Sequence, residues 1–385
     1  MDFQLDKKHT MAQSLFKDFA EKEVKPLAID TDETEEFPRV TVDKMAKNGF
    51  LGIAIPEQYG GQGCDPLTYV MCVEELAKVC GTTSVIVSAH SSLCCDPILH
   101  YGTEEQKQKY LVPLAKGEKL GAFGLTEPGA GTDAQGVQTK AVLSEDGKEW
   151  ILNGSKCFIT NGKEADVYII IAYTDVVETK RGKQKKFTAF IVEKGTEGFT
   201  FGTKEHKMGI RGSATYELIF QDCHIPAENQ LGPRGKGFPI AMGTLDGGRI
   251  GIAAQALGLA EGALDRTTAY VKERKQFGRS ISAFQNTQFQ LANLATEVEA
   301  AKLLVYRAAE AKRTKDRFSV EAAQAKLFAA ETAMDVTTKC VQLLGGYGYI
   351  REYEVERMMR DAKITEIYEG TSEVQRMVIS GDLLK

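Results

Sequence analysis

VYIIIAY at residues 167–173, FTAFIV at 187–192 and TYELIF at 215–220 decide the fold class of this chain. Each run is short and rich in β-branched and aromatic residues, which suit a pleated, half-buried surface. Asp-Gly, Asn-Gly and Lys-Gly pairs punctuate the sequence around them, as tight turns require. Residues 120–230 therefore predict a small antiparallel sheet or barrel.

On both sides the apolar period lengthens. Met11, Leu15, Phe19 and Val24 recur every four to five residues, and Val70, Val73, Ala77 and Cys80 keep helical spacing. Thr103-x-x-Gln106 has the form of a capping box. After residue 231 three long stripes follow. The first runs through Ile250, Ala253, Leu257, Ala260, Leu264 and Val271. The second runs through Leu291, Leu294, Val298, Ala301, Val305 and Ala308. The third runs through Val320, Ala323, Leu327, Ala330, Met334, Val341 and Leu344. A shorter helix is expected after Thr371. The expected architecture is α+β but mainly α: a helical N-terminal domain (1–119), a middle β-barrel or sheet domain (120–230) and a C-terminal four-helix bundle (231–385).

With 385 residues the chain is long enough to bury a large core without disulfide or metal staples. Hydrophobic residues make up 43% and charged residues 26%, ordinary values for a globular protein. Forty-eight Lys and Arg face 53 Asp and Glu, a net charge of −5. No basic field collects phosphate backbones, so nucleic acid is a poor partner. The cleanest apolar run is the seven residues of VYIIIAY, far short of the ~20 a membrane helix needs. The opening MDFQLDKKHT has neither an apolar segment nor an Arg/Ser-rich presequence, so a cytoplasmic location is expected.

Eight cysteines, none in a C-x-x-C pair, suit reduced thiols. His90, Cys94, Cys95 and His100 form the densest group of potential metal ligands. Four convergent ligands are not evident, so a packed helix is the preferred reading and no metal is expected.

Nucleotide motifs fail on context. GGYG at 345–348 follows a helical stripe, whereas the dinucleotide fingerprint needs a strand before it. GPRGKG at 232–237 lacks the spacing and hydroxyl of a P-loop. What remains is a set of loops dense in Gly, Thr, Asp and aromatics: GLTEPGAGTDA (124–134), GSKCFITNG (154–162), LDGGR (245–249), ERKQFGR (273–279) and ITEIYEGTSEVQ (364–375). Small residues let backbone approach a flat ligand. Glu369 is the most informative acid. Ser372-x-x-Gln375 behind it looks like a capping box, and spacing alone makes Glu369 a solvated carboxylate before a helix.

Two long stretches change that reading. GAFGLTEPGAGTDA (121–134) and GGYGYIREYEVERMMRDAKITEIYEGTSEVQ (345–375) resemble the flavin-dependent acyl-CoA dehydrogenases, and the likeness extends over nearly the whole chain. Within that family the bacterial short-chain, butyryl-CoA type is most similar. The resemblance implies a helical domain, a β domain and a four-helix bundle, FAD as cofactor, an acyl-CoA substrate and a homotetramer in which subunits share FAD contacts. It assigns Leu125, Thr126 and Thr132 to one side of the flavin and Phe158, Ile159 and Thr160 to its other edge. Arg274, Gln285, Gln342, Leu343, Leu344, Gly345 and Gly346 reach the FAD of a neighbouring subunit, and Thr371 and Glu373 complete the FAD site. Asp246, Arg249 and Gly370 lie near the substrate, and Glu369 is the catalytic base. Gln255 and Thr365 match positions where bulk shortens the acyl pocket. Some relatives carry the base in the LDxxR segment; here that position is Gly248, which leaves Glu369.

The implied reaction removes a proton from the α carbon and a hydride from the β carbon of an acyl-CoA. A free carboxylate near pKa 4.3 is a weak base for this, so burial has to raise it. The helix that starts near Ser372 opposes that rise. With no nicotinamide fingerprint and no cluster cysteines, electrons are expected to pass to or from another protein. The resemblance names electron-transferring flavoprotein, with a bifurcating form and the reverse, crotonyl-reducing direction both open. Branched, glutaryl or aryl-acrylyl thioesters are the alternative substrates, and a non-catalytic flavin- or CoA-binding scaffold is the alternative class.

Overall fold

The computed structural model describes residues 4–179 and 182–385, so the first three residues of the opening MDFQLDKKHT lie outside it. The strands are β1 (Gly121–Gly124), β2 (Lys140–Leu143), β3 (Glu149–Thr160), β4 (Val167–Thr179), β5 (Gly182–Glu193), β6 (Phe199–Lys204), β7 (Thr215–Pro226) and β8 (Gln230–Leu231). VYIIIAY opens β4, and its first six residues are all buried. Val167, Ile169 and Ile171 face one core, with Leu93, Ile98 and Leu111. Tyr168, Ile170 and Ala172 face a second core, with Trp150, Phe190 and Phe220. A strand covered on both sides needs no polar face, which is why the run is unbroken.

The strands pair in the order β6-β7-β3-β2-β4-β5-β8, with β1 beside β4. Most pairs are antiparallel, but β1–β4 and β2–β4 are parallel, so the sheet is mixed rather than antiparallel throughout. Parallel pairing needs a long crossover. Residues 125–166, which include β2 and β3, supply the one between β1 and β4.

The helices that frame the site are α1 (Lys7–Phe19), α2 (Pro66–Ala77), α3 (Gly81–Ser88), α4 (Gly237–Glu273), α5 (Gln285–Thr314), α6 (Ser319–Leu344), α7 (Val355–Thr365) and α8 (Ser372–Leu383). Val70, Val73 and Ala77 of α2 share one core with Leu257 and Ala260 of α4 and Ala329 of α6. The first and last helical sections thus pack against each other directly. The capping box at Thr103 and Gln106 forms as expected.

Two stripes need correction. Met11 and Leu15 are 64% and 53% exposed; the buried row is Phe16, Phe19, Ala20 and Val24. Repeated steps of four residues advance beyond a full turn, so a row drawn through buried Phe19 leaves the packed face at Leu15 and Met11. On α6 the fully buried residues include Ala322, Ala325, Ala329, Ala333 and Val336, while Leu327, Met334 and Val341 are only half-buried. Alanines let α6 approach its neighbours closely and leave the bulkier row at the margin of the core, where Val341 still packs against it.

The eight cysteines are free, seven of them buried. The possible metal quartet is split. His90 Nδ1 accepts the Gly121 N–H at 3.0 Å and its Nε2 lies 3.4 Å from Cys95 Sγ, while His100 lies 3.5 Å from Asp96. Burial pushes the His90 imidazole down to about 4. Among the described residues no group of three or more His, Cys, Asp and Glu is placed to hold a metal ion, and no helix is long and apolar enough to cross a membrane.

Candidate active site

Between α7 and α8 the chain makes a tight turn. Tyr368 N–H donates to Ile364 at 3.1 Å and Ser372 N–H to Glu366 at 2.9 Å. Glu369 (φ +53°) and Gly370 (φ +94°) both adopt left-handed backbone. Such a conformation costs a non-glycine residue about 1–3 kcal/mol and persists only where the surroundings enforce it. Here three side chains do so. Arg249 of α4 and Gln375 of α8 donate to the Glu369 carbonyl at 3.5 and 3.4 Å. Lys326 of α6 and Gln375 donate to the Gly370 carbonyl at 2.7 and 2.8 Å.

The strained turn aims the Glu369 carboxyl at α4. A Cβ added to Gly248 would lie 2.0 Å from Glu369 Oε2 and 2.7 Å from Leu93 Cδ2, so the carboxyl rests against bare helix backbone. The residue as a whole is half-buried, yet Oε2 is enclosed and has no hydrogen-bond partner. Burial pushes the acid up to about 8, against the pull of Lys326 and Arg249. The amides at the start of α8 do not offset this. Val374 N–H donates to Thr371 Oγ1 at 3.4 Å and Ser372 N–H to Glu366. Thr371, not Ser372, therefore caps α8, and Gln375 serves the Glu369 turn instead of a capping box.

Around the carboxyl, Arg249 pairs with Asp246 at 2.6 Å, and Ser319 donates to the other Asp246 oxygen. Gln255 is fully buried; its Nε2 donates to the Gly81 carbonyl at 2.8 Å and its Oε1 accepts from Tyr368. Thr365 is also fully buried, its hydroxyl donating to Ala362 of its own helix at 2.7 Å.

A second group of residues assembles at the sheet. The β3–β7 register shifts between Lys156 and Ile159, and Phe158 within that irregularity has φ +59° and is 63% exposed. Bulges of this kind re-aim side chains beside active sites. Residues 124–134 are tied alongside. Cys157 N–H donates to the Thr126 carbonyl at 2.9 Å, and Lys156 Nζ to the Leu125 carbonyl at 3.1 Å. Lys156 also pairs with Glu127 at 2.7 Å, and Glu127 accepts the Gln138 and Thr139 amides at 2.6 and 2.9 Å.

A third group lies at the far end of α6. Tyr270, Arg274, Tyr347 and residues 342–346 line a cleft of about 450 Å³, with the Arg274 guanidinium 5.2 Å from the centre of the Tyr347 ring. Side chains added at Gly345 or Gly346 would meet nothing, so the backbone there is open to a flat group. Gln285 opens α5, exposed, and does not line this cleft.

The sequence patterns of the acyl-CoA dehydrogenase N-terminal, middle and C-terminal domains match residues 6–118, 122–223 and 235–384. A short-chain-specific acyl-CoA dehydrogenase of Clostridium acetobutylicum is 58% identical over 385 residues, covering 100% of both chains. The chain belongs to the acyl-CoA dehydrogenase family. Butyryl-CoA dehydrogenase from Megasphaera elsdenii superposes with a TM-score of 0.96 at 52% identity, covering 100% of both chains. A chain in the structure of the electron-transferring flavoprotein of Acidaminococcus fermentans, studied for flavin-based electron bifurcation, superposes with the same score at 55% identity, again covering 100% of both.

Acyl-CoA dehydrogenases are FAD-dependent enzymes, and so is this chain. Its own residues fit that cofactor. Leu125, Thr126, Phe158, Ile159 and Thr160 are brought side by side with an exposed ring, and the enclosed Glu369 Oε2 is left without a hydrogen-bond partner. Thr132 and Glu373 are exposed, and Thr371 is held by its capping role. Residues 342–346 stand apart from these, about 27 Å along α6 from Lys326 at 1.5 Å per residue.

Lys326 and Gln375 escaped the sequence reading as members of this acyl-CoA dehydrogenase site. A signal existed for the first: one lysine interrupts the apolar AAQAKLFAA of the α6 stripe.

Proposed function

We propose that this enzyme interconverts a short-chain acyl-CoA and its α,β-unsaturated thioester, with Glu369 as the α-proton base. The enclosed, unpartnered Glu369 Oε2 carries the reading. A carboxyl held near pKa 8 by burial takes and returns a proton close to neutral pH. In the oxidative direction Glu369 Oε2 accepts the α proton, and the electron pair left on carbon becomes the new double bond as hydride departs from the β carbon. When bound, FAD supplies the acceptor for that hydride. Arg249, Lys326 and Gln375 keep the base fixed through its turn, and Leu93 and α4 keep water off it. In this proposal Leu125, Thr126, Thr132, Phe158, Ile159, Thr160, Thr371 and Glu373 hold the FAD, while Asp246, Arg249 and Gly370 border the substrate.

Likeness to short-chain-specific and butyryl-CoA enzymes supports a four-carbon acyl group. Gln255, cross-linked to Tyr368 and Gly81, and Thr365 would close the end of the pocket. Likeness to a chain solved with electron-transferring flavoprotein supports that protein as electron partner, and a bifurcating form of it is part of the proposal. We also propose a homotetramer in which Arg274, Gln285, Gln342, Leu343, Leu344, Gly345 and Gly346 serve a neighbour's FAD, since the cleft lies so far along α6 from the base. Free thiols suit the cytoplasm.

Anaerobic titration with acyl-CoAs of graded length tests this. Butyryl-CoA should bleach the yellow protein most completely, and Glu369→Gln should bind it but reduce the flavin slower by at least 10²- to 10⁴-fold, the usual worth of a general base. Full, fast bleaching of that variant puts the base elsewhere. A colourless protein that still binds its electron partner supports a scaffold instead.

A further inference from the structure

We propose that Lys326 is the positioning residue of the base: its ammonium pins the left-handed Glu369–Gly370 turn and sets the charge that Glu369 faces. The inference rests on Glu369 being the base. Lys326 is fully buried among the alanines of α6, and its ammonium donates to the Gly370 carbonyl at 2.7 Å. A lysine is an expensive way to hold one carbonyl, because burying an ammonium carries a desolvation penalty of several kcal/mol. Gln375 already donates to the same oxygen at 2.8 Å without any charge. What Lys326 adds is a positive charge beside a carboxyl that must ionise in a dry site.

The pair is mutual. Burial draws Lys326 down to about 8, and an ionised Glu369 draws it back up. In turn Lys326 is the largest influence opposing the burial of Glu369. Other charges face this pair. Arg249 and its partner Asp246 come from α4, and Glu366 and Glu373 from either side of the turn. Tyr69 of α2, with Asp96 beyond it, and Tyr368, with Asp361 beyond it, complete the surroundings. Arg249 is already paired with Asp246, which leaves Lys326 as the cation best able to answer the Glu369 charge.

The test follows flavin reduction by butyryl-CoA against pH, anaerobically, in FAD-loaded wild type, Lys326→Met, Lys326→Gln and Lys326→Arg. Loss of the charge should move the acid limb of the rate profile to higher pH by about 1 unit or more in both neutral variants. Arginine should return the limb towards wild type even where its maximal rate is lower. An acid limb that stays in place in either neutral variant overturns the proposal, as does an arginine variant that behaves like methionine. If Lys326→Met fails to fold, Lys326→Gln decides, since it keeps a donor for Gly370. If neither folds, Lys326 is a structural residue and the proposal fails. Failure of the base reading shows separately: Glu369→Gln would then keep its reduction rate whatever occupies position 326.

Discussion

Burial of the Glu369 carboxyl has two measurable consequences with opposite preferences. Its pKa lies near 8 in the fold, against 4.5 when free. Reduction of flavin by substrate should therefore rise with pH through about 8, because the base acts only when ionised. Stability runs the other way. A raised pKa means that the folded chain binds the proton more tightly than the unfolded one, so stability is full below 4.5 and falls as pH climbs through 8. Glu369→Gln carries no such titration, so its melting temperature should exceed that of wild type at pH 8 and the gap should shrink towards pH 5. A gap independent of pH would mean the carboxyl is solvated. At the chain-length end, Gln255→Gly combined with Thr365→Ala should shift the preference towards longer acyl groups. An unchanged profile in the graded titration would remove both residues as gatekeepers. None of these single-residue roles can be read from spacing. Glu369 before a helix start looks solvated until one sees that α8 spends its first amides on Thr371 and Glu366. Lys326 looks like a surface lysine until it is seen to lie on the buried face of α6, beside Ala322, Ala325 and Ala329.

Among the elements, β3 does the most to place the residues proposed to face the flavin. Its irregular pairing exposes Phe158, and its Lys156 reaches beneath the sheet surface to hold residues 125–127. Lys156 is fully buried and Glu127 nearly so. Removing one partner of such a pair leaves an uncompensated charge and costs about 3–5 kcal/mol. Lys156→Met should therefore lower the melting temperature and release FAD on gel filtration more readily than wild type. Retention of FAD with wild-type stability would show that the loop holds itself. The strands were legible because VYIIIAY, FTAFIV and TYELIF carry their own β signature. The mixed pairing was not, because direction depends on the path of residues 125–166 and not on local composition. Helix existence was legible too, whereas the packed face of α1 was caught at Phe19 and missed at Met11 and Leu15, since apolar residues also occupy the neighbouring row through Phe16.

Taken whole, the molecule has the proposed base near one end of α6 and an open cleft at the other. The bulkier row of Leu327, Met334 and Val341 on the same helix is half-buried, and Leu303 of α5 and Phe328 are more exposed still. Light scattering should return four times the 42.2 kDa chain mass. A monomer that is yellow and active would contradict the shared-FAD arrangement. The proposed arrangement comes only from the resemblance, because no spacing in a single sequence says that two distant groups belong to different copies of one ligand site.

The distance between base and cleft makes each defect separable in a mixed population. A chain with Glu369→Gln lacks its own base but still offers a sound cleft; a chain with Gly346→Phe has the base but a blocked cleft. Homogeneous preparations of either should be inactive. Refolded together, they should regain a fraction of turnover, because an occasional neighbour supplies what the other lost. Two broken alleles would then complement each other without exchanging a single gene segment.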